Sequence, residues 1–337
     1  MPSKIKPKKI VTIGGGTGSF MVLSGLKKYN DDLTAIVSMS DNGGSTGILR
    51  DELGVLPPGD LRQCLVALSD SPEIMRKVFN YRFDKGSLDG HNLGNLLLSA
   101  MEKITGSNLK AVKEISDILK IRGKVMPVSL EPSNLQIELN NDLKLIGEDR
   151  INHNHAIDTL GIKKIALNPV PAVNPDAIKA IMNADFIIIG PGNFYCSLIP
   201  NLLIPQISRA ISKSPAKIIY IANLVNKRGH TSRFSLDDYI QYLQKYIKGR
   251  LIDFVIYNSQ KPSQALLKRY RQEGDEWLEL KYTKTKNSHS QNYPTIIQAN
   301  ILKNSFYKPV SGDHISGVRS FIRHDSDKLA KLIEQII

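Results

Sequence analysis

The chain contains 337 residues, and its 45 Lys and Arg against 32 Asp and Glu give a formal net charge of +13. Its length suits one large α/β unit or two domains, and its basic residues are spread along the chain outside any DNA- or RNA-binding motif, so we expect no specific nucleic-acid partner. Two cysteines, Cys64 and Cys196, argue against a disulfide framework, and the apolar runs are too short for a signal peptide or a membrane span, so we expect a cytoplasmic protein.

The first predicted strand, residues 8–13, runs into a glycine-rich loop whose candidate ligand-binding residues are Gly15, Gly16, Thr17 and Gly18. A β-branched run that ends in glycines predicts a buried parallel strand and a ligand-binding loop at its carboxyl end. Glycine lets backbone N–H groups approach an anion, and the helix that follows directs its positive dipole end there. Ser19 stands where the dinucleotide fingerprint has its third glycine, which disfavours a nicotinamide-dependent oxidoreductase. We therefore predict a phosphate-binding loop, with a purely structural turn as the alternative.

A second loop of the same kind follows the predicted strand at residues 33–38, and its candidate ligand-binding residues are Asp41, Asn42, Gly43, Gly44 and Ser45. Asp41 has two interpretations. Its carboxylate either binds a ribose hydroxyl, as an acidic residue does after the second strand of dinucleotide-binding folds, or caps the loop.

A third group of polar residues stands at the start of a helix predicted for residues 92–104, and it comprises His91, Asn92 and Asn95. Either these side chains line the ligand cleft, or Asn92 is a plain helix N-cap. The pattern then changes to period two in residues 125–146, which predicts a small β-rich insertion at residues 123–165. His153 and His155 lack the Cys or acidic neighbours of a metal site, and we assign no metal ligand.

Strands alternate with helices again at residues 164–167, 185–190, 217–223 and 254–257. This alternation predicts a Rossmann-like three-layer α/β sandwich with a mainly parallel sheet, formed by residues 1–337 as a single domain. Residues 281–320 are rich in Lys, Ser, Thr and Asn, and we predict a long, partly mobile segment there. The last helix is predicted for residues 324–337, with Asp325 as its cap.

A third ligand loop follows the strand at residues 185–190, and its candidate residues are Gly190, Pro191, Gly192, Tyr195 and Ser197. The helix start behind this loop offers free N–H groups for a second phosphate or a sugar hydroxyl. A plain β-turn is the alternative. Asn223, at the end of the next strand, is included in the same candidate site.

An ordered set of motifs resembles that of the bacterial gluconeogenesis factor family, whose members are relatives of the archaeal 2-phospho-L-lactate transferases. The motifs lie at residues 13–18, 41–47, 53–62, 91–95, 189–195, 199–203 and 322–325. The resemblance covers roughly residues 8 to 337. It implies a cytoplasmic regulator that binds a nucleotide sugar of the UDP-N-acetylglucosamine type and links carbon metabolism to cell-wall precursor synthesis and cell shape. A 2-phospho-L-lactate transferase-like enzyme is the alternative. A nicotinamide-dependent oxidoreductase, which would bind a nicotinamide dinucleotide, is a weaker one that the glycine spacing disfavours.

The resemblance also implies roles for single residues. Asn42 replaces an acid that is usual in the family, which weakens a paired-carboxylate mechanism, so we assign no catalytic residue and no required cofactor. Tyr270 and Arg323 match positions that the family associates with the nucleotide sugar, and a tyrosine can stack on uracil while an arginine can pair with a diphosphate. The alternatives are that the Tyr270 ring lies at the surface and that Arg323 is a solvated charge. An enzyme of cell-wall precursor synthesis is the partner we expect, and a homo-oligomer is left open.

Overall fold

The computed structural model describes residues 7–280, 293–303 and 322–337. Its strands are β1 (Ile10–Gly14), β2 (Leu33–Val37), β3 (Lys124–Pro127), β4 (Asn134–Leu139), β5 (Lys144–Ile146), β6 (Ile162–Asn168), β7 (Phe186–Ile189), β8 (Lys217–Ile221), β9 (Val225–Asn226), β10 (Phe254–Asn258), β11 (Glu276–Trp277) and β12 (Thr295–Ala299). Its α-helices are α1 (Gly16–Leu26), α2 (Gly44–Leu53), α3 (Pro58–Leu68), α4 (Glu73–Asn80), α5 (Leu93–Thr105), α6 (Asn108–Leu119), α7 (Glu148–Asn152), α8 (Ile157–Leu160), α9 (Pro175–Met182), α10 (Ile199–Leu202), α11 (Pro205–Lys213), α12 (Leu236–Tyr246), α13 (Gln264–Glu273) and α14 (Ser326–Glu334). A short 3₁₀-helix covers Gly86–Leu88, and a π-helical turn covers Phe194–Leu198.

Seven parallel strands form the central sheet, in the order β12-β10-β8-β7-β1-β2-β3. Strand β1 is buried along its whole length because both faces of the sheet are covered. Val11 and Ile13 point to one hydrophobic core, which includes α9, α11 and α12, and Ile10 points to the other, which includes α1, α3 and α14. The Rossmann-like three-layer α/β prediction is confirmed.

The limits of the predicted β-rich insertion need correction. A small antiparallel sheet does exist, in the order β5-β4-β6, but it spans residues 134–168 and not residues 123–165. Strand β3 pairs in parallel with β2 as an edge of the central sheet, and β6 pairs antiparallel with β4, so residues 164–167 do not resume the parallel alternation. Edge strands and antiparallel strands both bury one face, so their period-two patterns are alike in sequence.

The strand order changes direction at β1, which lies between β2 and β7. Strands β2 and β3 follow on one side of β1, and β7, β8, β10 and β12 follow on the other. In open α/β sheets ligands bind at such a switch point, outside the carboxyl ends of the strands. The loops after β1, β2 and β7 all lie at that edge. Within the described residues no helix is both long and apolar enough to cross a membrane.

The prediction of a mobile segment at residues 281–320 falls largely outside the described residues. The described part of it contains β12, which pairs in parallel with β10 and extends the central sheet. The single-domain assignment for residues 1–337 stays a prediction.

Candidate functional site

The amino-terminal end of α1 holds the carboxylate of Asp60. The backbone N–H of Gly16 donates a hydrogen bond to this carboxylate, and a Cβ atom at Gly15 would lie 2.0 Å from Asp60 Oδ2. Gly16 itself has φ +61°, a conformation that favours glycine. The prediction that a bound phosphate explains these glycines is therefore incomplete, since a carboxylate of the chain occupies part of that space.

The first and third loops are in direct contact. A Cβ atom at Gly18 would lie 1.9 Å from the carbonyl oxygen of Pro191, so only glycine permits this approach of the two backbones. Gly190 has φ +78°, and Asn223 Nδ2 donates a hydrogen bond to the carbonyl oxygen of Gly192 at 2.9 Å. The structure thus brings these five predicted residues together.

The second loop is held by its own side chains. Asp41 Oδ1 accepts a hydrogen bond from the backbone N–H of Gly43 at 2.9 Å, so the capping interpretation of Asp41 is present in the structure. Asn42 Oδ1 accepts from the backbone N–H of Asp149 at 3.1 Å, which ties this loop to α7. Gly44 begins α2 at φ +46°. A cavity of ≈ 530 Å³ borders this loop on the side of Asn42 and Gly44.

Three carboxyl groups gather where these loops meet, and they belong to Asp41, Asp60 and Glu148. Each remains partly exposed. Burial and the charge of Asp41 raise the pKa of Asp60 to about 7. Burial and the charges of Asp41 and Asp60 raise the pKa of Glu148 well above its ordinary value, and burial also raises the pKa of Asp41. Such carboxyl groups can bind hydroxyls, and Asp60 can exchange a proton near neutral pH.

Sequence analysis missed two of these three groups. Asp60 lies in the first turn of α3, where an acidic residue is common for helix stability alone, and Glu148 lies in α7, within the small antiparallel sheet region and far from the loops along the chain. Among residues 7–280, 293–303 and 322–337 no group of three or more His, Cys, Asp or Glu side chains is arranged to hold a metal ion.

A half-buried cation, Lys227, lies close to the third loop. Lys227 Nζ donates a hydrogen bond to Asn152 Oδ1 at 2.5 Å, and Asn193 Nδ2 donates to the same oxygen at 2.8 Å. Burial lowers the pKa of Lys227. Glu148, one turn before Asn152 on α7, accepts a hydrogen bond from the Asn152 side chain at 3.2 Å, so Lys227 and the carboxyl groups share one network. Neither Lys227 nor Asn152 lies in a sequence motif that would have predicted its place in the site.

The turn before α5 contacts the second loop. His91 Nδ1 lies 3.2 Å from Ser45 Oγ, and the backbone N–H of Asn92 donates to the same hydroxyl at 3.4 Å. Asn92 also caps α5 by accepting from the backbone N–H of Asn95. Asn95 Oδ1 accepts from Arg62 Nε at 2.9 Å. The side-chain oxygens of both asparagines are thus engaged within the protein, and the ring of His91 contacts the second loop at Ser45.

Two predicted ligand-binding tyrosines are instead core residues. Tyr195 is 3% exposed and packs edge-to-face against Phe194 and Phe234. Tyr270 is 3% exposed, and its hydroxyl accepts a hydrogen bond from the backbone N–H of Ile322 at 2.9 Å. A ring with both faces packed cannot stack on a base, so stacking by Tyr270 is not compatible with this arrangement.

The remaining predicted residues are placed as follows. Thr17 Oγ1 donates to Gln63 Oε1 at 3.4 Å, on the first turn of α1. The backbone N–H of Ser197 donates to the carbonyl oxygen of Asn193 at 2.7 Å, in the π-helical turn. Arg323 lies on the segment before α14, and its carbonyl oxygen accepts from the backbone N–H of Lys303 at 3.0 Å.

Comparison with known proteins gives consistent matches over nearly the whole chain. The family model described as "2-phospho-L-lactate transferase CofD" matches residues 10–301. The gluconeogenesis factor of Bacillus subtilis is 35% identical over 334 residues, which cover 98% of each chain. A relative from Thermotoga maritima is 40% identical over 330 residues, which cover 97% of this chain and 99% of its own. The crystal structure of a UPF0052 family member from Bacillus halodurans superposes with a TM-score of 0.85 at 33% identity and covers 98% of this chain and 99% of its own.

Proposed function

Since the chain belongs to the CofD family and is similar to a gluconeogenesis factor over nearly its whole length, we propose that it is a nucleotide-sugar-binding regulatory protein. The proposed ligand is of the UDP-N-acetylglucosamine type, and its binding requires no cofactor. The proposed role is to link carbon metabolism to cell-wall precursor synthesis and cell shape, in the cytoplasm, through an enzyme of that synthesis.

One observation carries the proposal: carboxyl groups that can bind hydroxyls and a cation that can bind phosphate lie in one network at the same three loops. Asp41, Asp60 and Glu148 supply the carboxyl oxygens, and Lys227 supplies the cation. A nucleotide sugar carries hydroxyls on its ribose and its sugar and negative charge on its diphosphate. Carboxylates accept hydrogen bonds from hydroxyls, and a lysine binds phosphate as a point charge.

The position of Asp60 decides how the ligand is oriented in this proposal. A phosphate at the start of α1 would meet the Asp60 carboxylate that already accepts from Gly16, and like charges repel. We therefore place the diphosphate at the third loop, near Lys227 and the amide of Asn193, and the hydroxyls near the carboxyl groups. The raised pKa values of these carboxyl groups favour their neutral forms and so lessen their repulsion of an anionic ligand.

A specific observation also favours the second candidate function, a 2-phospho-L-lactate transferase-like enzyme. Asp60, with a pKa of about 7, suits the transfer of a proton from an attacking hydroxyl at neutral pH. Against this, the side chain of Asn42 is engaged with the backbone of Asp149 and offers no proton acceptor. Regulation is the function that we favour, because the position of a second acid in that loop is taken by this amide.

Calorimetry on the purified chain tests the proposal. Titrations with UDP-N-acetylglucosamine, UDP, GDP-sugars and nicotinamide dinucleotides compare the ligand classes, and mass spectrometry after long incubation asks whether the ligand is consumed. We expect selective binding of the UDP-sugar without turnover. Failure of every UDP-sugar to bind would overturn the proposal, and consumption of the ligand that disappears in Asp60→Asn would favour the transferase.

A further inference from the structure

A second cavity, separate from the three loops, lies toward the carboxyl end of α1. Its volume is ≈ 480 Å³. It lies between α1, α3, α4, the start of α14 and Lys303, which follows β12. Four basic side chains line it, and they are Lys27, Lys28, Arg76 and Lys303.

Two of these four cations have acidic partners. Lys28 Nζ pairs with Asp327 Oδ1 at 2.5 Å, and Lys27 Nζ lies 3.7 Å from Asp70 Oδ1. The other acid at the cavity, Asp325, caps α14 by accepting from the backbone N–H groups of Asp327 and Lys328, both at 3.0 Å. The acidic groups of the cavity are thus already engaged.

The other two cations, Arg76 and Lys303, form no ion pair with any carboxylate of the described ranges. They reach the cavity from different elements, Arg76 from α4 and Lys303 from the segment after β12. Burial lowers the pKa of Lys27, and the nearby charge of Arg76 adds to this lowering while Asp70 opposes it. The cavity therefore concentrates positive charge that its own acids do not balance.

We propose that this cavity binds a small phosphate ester, with its phosphate between Arg76 and Lys303. A guanidinium presents paired N–H donors that match phosphate oxygens, and a lysine adds a point charge. The hydroxyls of Ser24 and Ser326, which lie 3.2 Å apart at the cavity wall, supply hydrogen bonds for the rest of the ligand. The volume lies in the range of small-molecule sites. This site is independent of the nucleotide-sugar proposal.

Equilibrium dialysis with ³²P-labelled inorganic pyrophosphate, at physiological salt, tests the site. We compare the wild type with Arg76→Gln/Lys303→Gln, and a matched control, Lys110→Gln/Lys113→Gln, removes two exposed charges of α6 outside the cavity. We expect the cavity variant to bind at least tenfold more weakly at one class of site, with the control unchanged. Binding at the three loops would remain as a separate class.

Thermal unfolding provides a second readout. Because Arg76 and Lys303 lie on different elements, a bound anion stabilises the folded chain, and pyrophosphate should raise the melting temperature of the wild type and the control more than that of the cavity variant. Equal binding and equal shifts in all three proteins would overturn the proposal, as would equal losses in the cavity variant and the control, which indicate general charge attraction only.

Discussion

The Asp60 carboxylate accepts a hydrogen bond from the backbone N–H of Gly16, at the helix start where the glycine-rich sequence predicts a bound phosphate. This carboxylate lies against Gly15 and faces two further acids, Asp41 and Glu148. A raised pKa in the folded chain means that the folded state holds the Asp60 proton more tightly than the unfolded state. The free energy of unfolding should therefore depend on pH through the titration of Asp60.

Asp60→Asn tests this response. Between the ordinary aspartate pKa, near 3.9, and about 7, the folded wild type binds more protons than the unfolded chain, so its stability falls as the pH rises. Asparagine does not titrate, and its side-chain oxygen can still accept from Gly16. We expect the variant to gain about 1 to 3 kcal/mol relative to the wild type between pH 4 and pH 8, a range reduced for partial exposure.

Denaturant unfolding at both pH values measures the difference, and Glu73→Gln is a control of opposite sign. The hydrogen bond from Lys77 lowers the pKa of Glu73. The Glu73–Lys77 pair therefore stabilises the folded wild type above the ordinary pKa of glutamate, and this stabilisation is lost in acid. A constant difference between Asp60→Asn and the wild type across the pH range would contradict the assignment for Asp60.

Gly18→Ala should separate the first and third loops. The new methyl group would lie 1.9 Å from the carbonyl oxygen of Pro191, and backbone atoms cannot move aside as a side chain can. We expect a loss of about 1 to 3 kcal/mol in the free energy of unfolding, typical of overpacking, together with weaker binding of the proposed ligand. Thr17→Ala, on the same turn, removes only a 3.4 Å hydrogen bond to Gln63 and should cost much less. Equal stability of the two variants would contradict this packing.

Tyr270→Phe distinguishes a core role from a ligand-stacking role. Loss of the hydroxyl leaves the backbone N–H of Ile322 buried without its acceptor, and we expect a cost of about 1 to 3 kcal/mol in unfolding free energy. Stacking on uracil, in contrast, needs only the ring and predicts no loss of stability. Tyr29→Phe, at a tyrosine that is 47% exposed, serves as the control. Unchanged stability of Tyr270→Phe would contradict a stabilising role for the hydrogen bond between this hydroxyl and Ile322.

The residues that sequence analysis located, and those that it missed, differ in one physical respect. The glycine loops could be predicted because each directly follows a buried strand, and parallel strands place their carboxyl ends at one edge of the sheet. Glu148 and Lys227 come to the same place through α7 and the segment after β8, and no spacing along the chain encodes that approach. The burial of Tyr195 and Tyr270 was missed for a related reason, since a motif position does not reveal which face of a ring is packed.

Arg323→Ala tests the part of the proposal that depends most on the family resemblance. If the guanidinium pairs with the diphosphate, its removal should weaken UDP-N-acetylglucosamine binding by roughly ten- to a hundredfold, which corresponds to about 1.5 to 3 kcal/mol. Arg323→Lys should recover only part of the loss, because a point charge does not reproduce the paired donors. Arg209→Ala removes an exposed charge of α11 as a control. Equal binding by the wild type and Arg323→Ala would show that this side chain does not contact the ligand.

Lys227→Met tests the cation that the structure adds to the site. Methionine keeps much of the side-chain length but removes the charge, and we expect UDP-N-acetylglucosamine to bind roughly ten- to a hundredfold more weakly. Because burial lowers the pKa of Lys227, its charge is lost at lower pH than that of an exposed lysine. Wild-type affinity should therefore fall as the pH rises toward that pKa, and Lys227→Met should lack this fall. Lys245→Met, on the exposed face of α12, is the matched control. If Lys227 only anchors Asn152, the variant loses stability while the pH profile of binding stays that of the wild type, and the proposed phosphate contact is wrong.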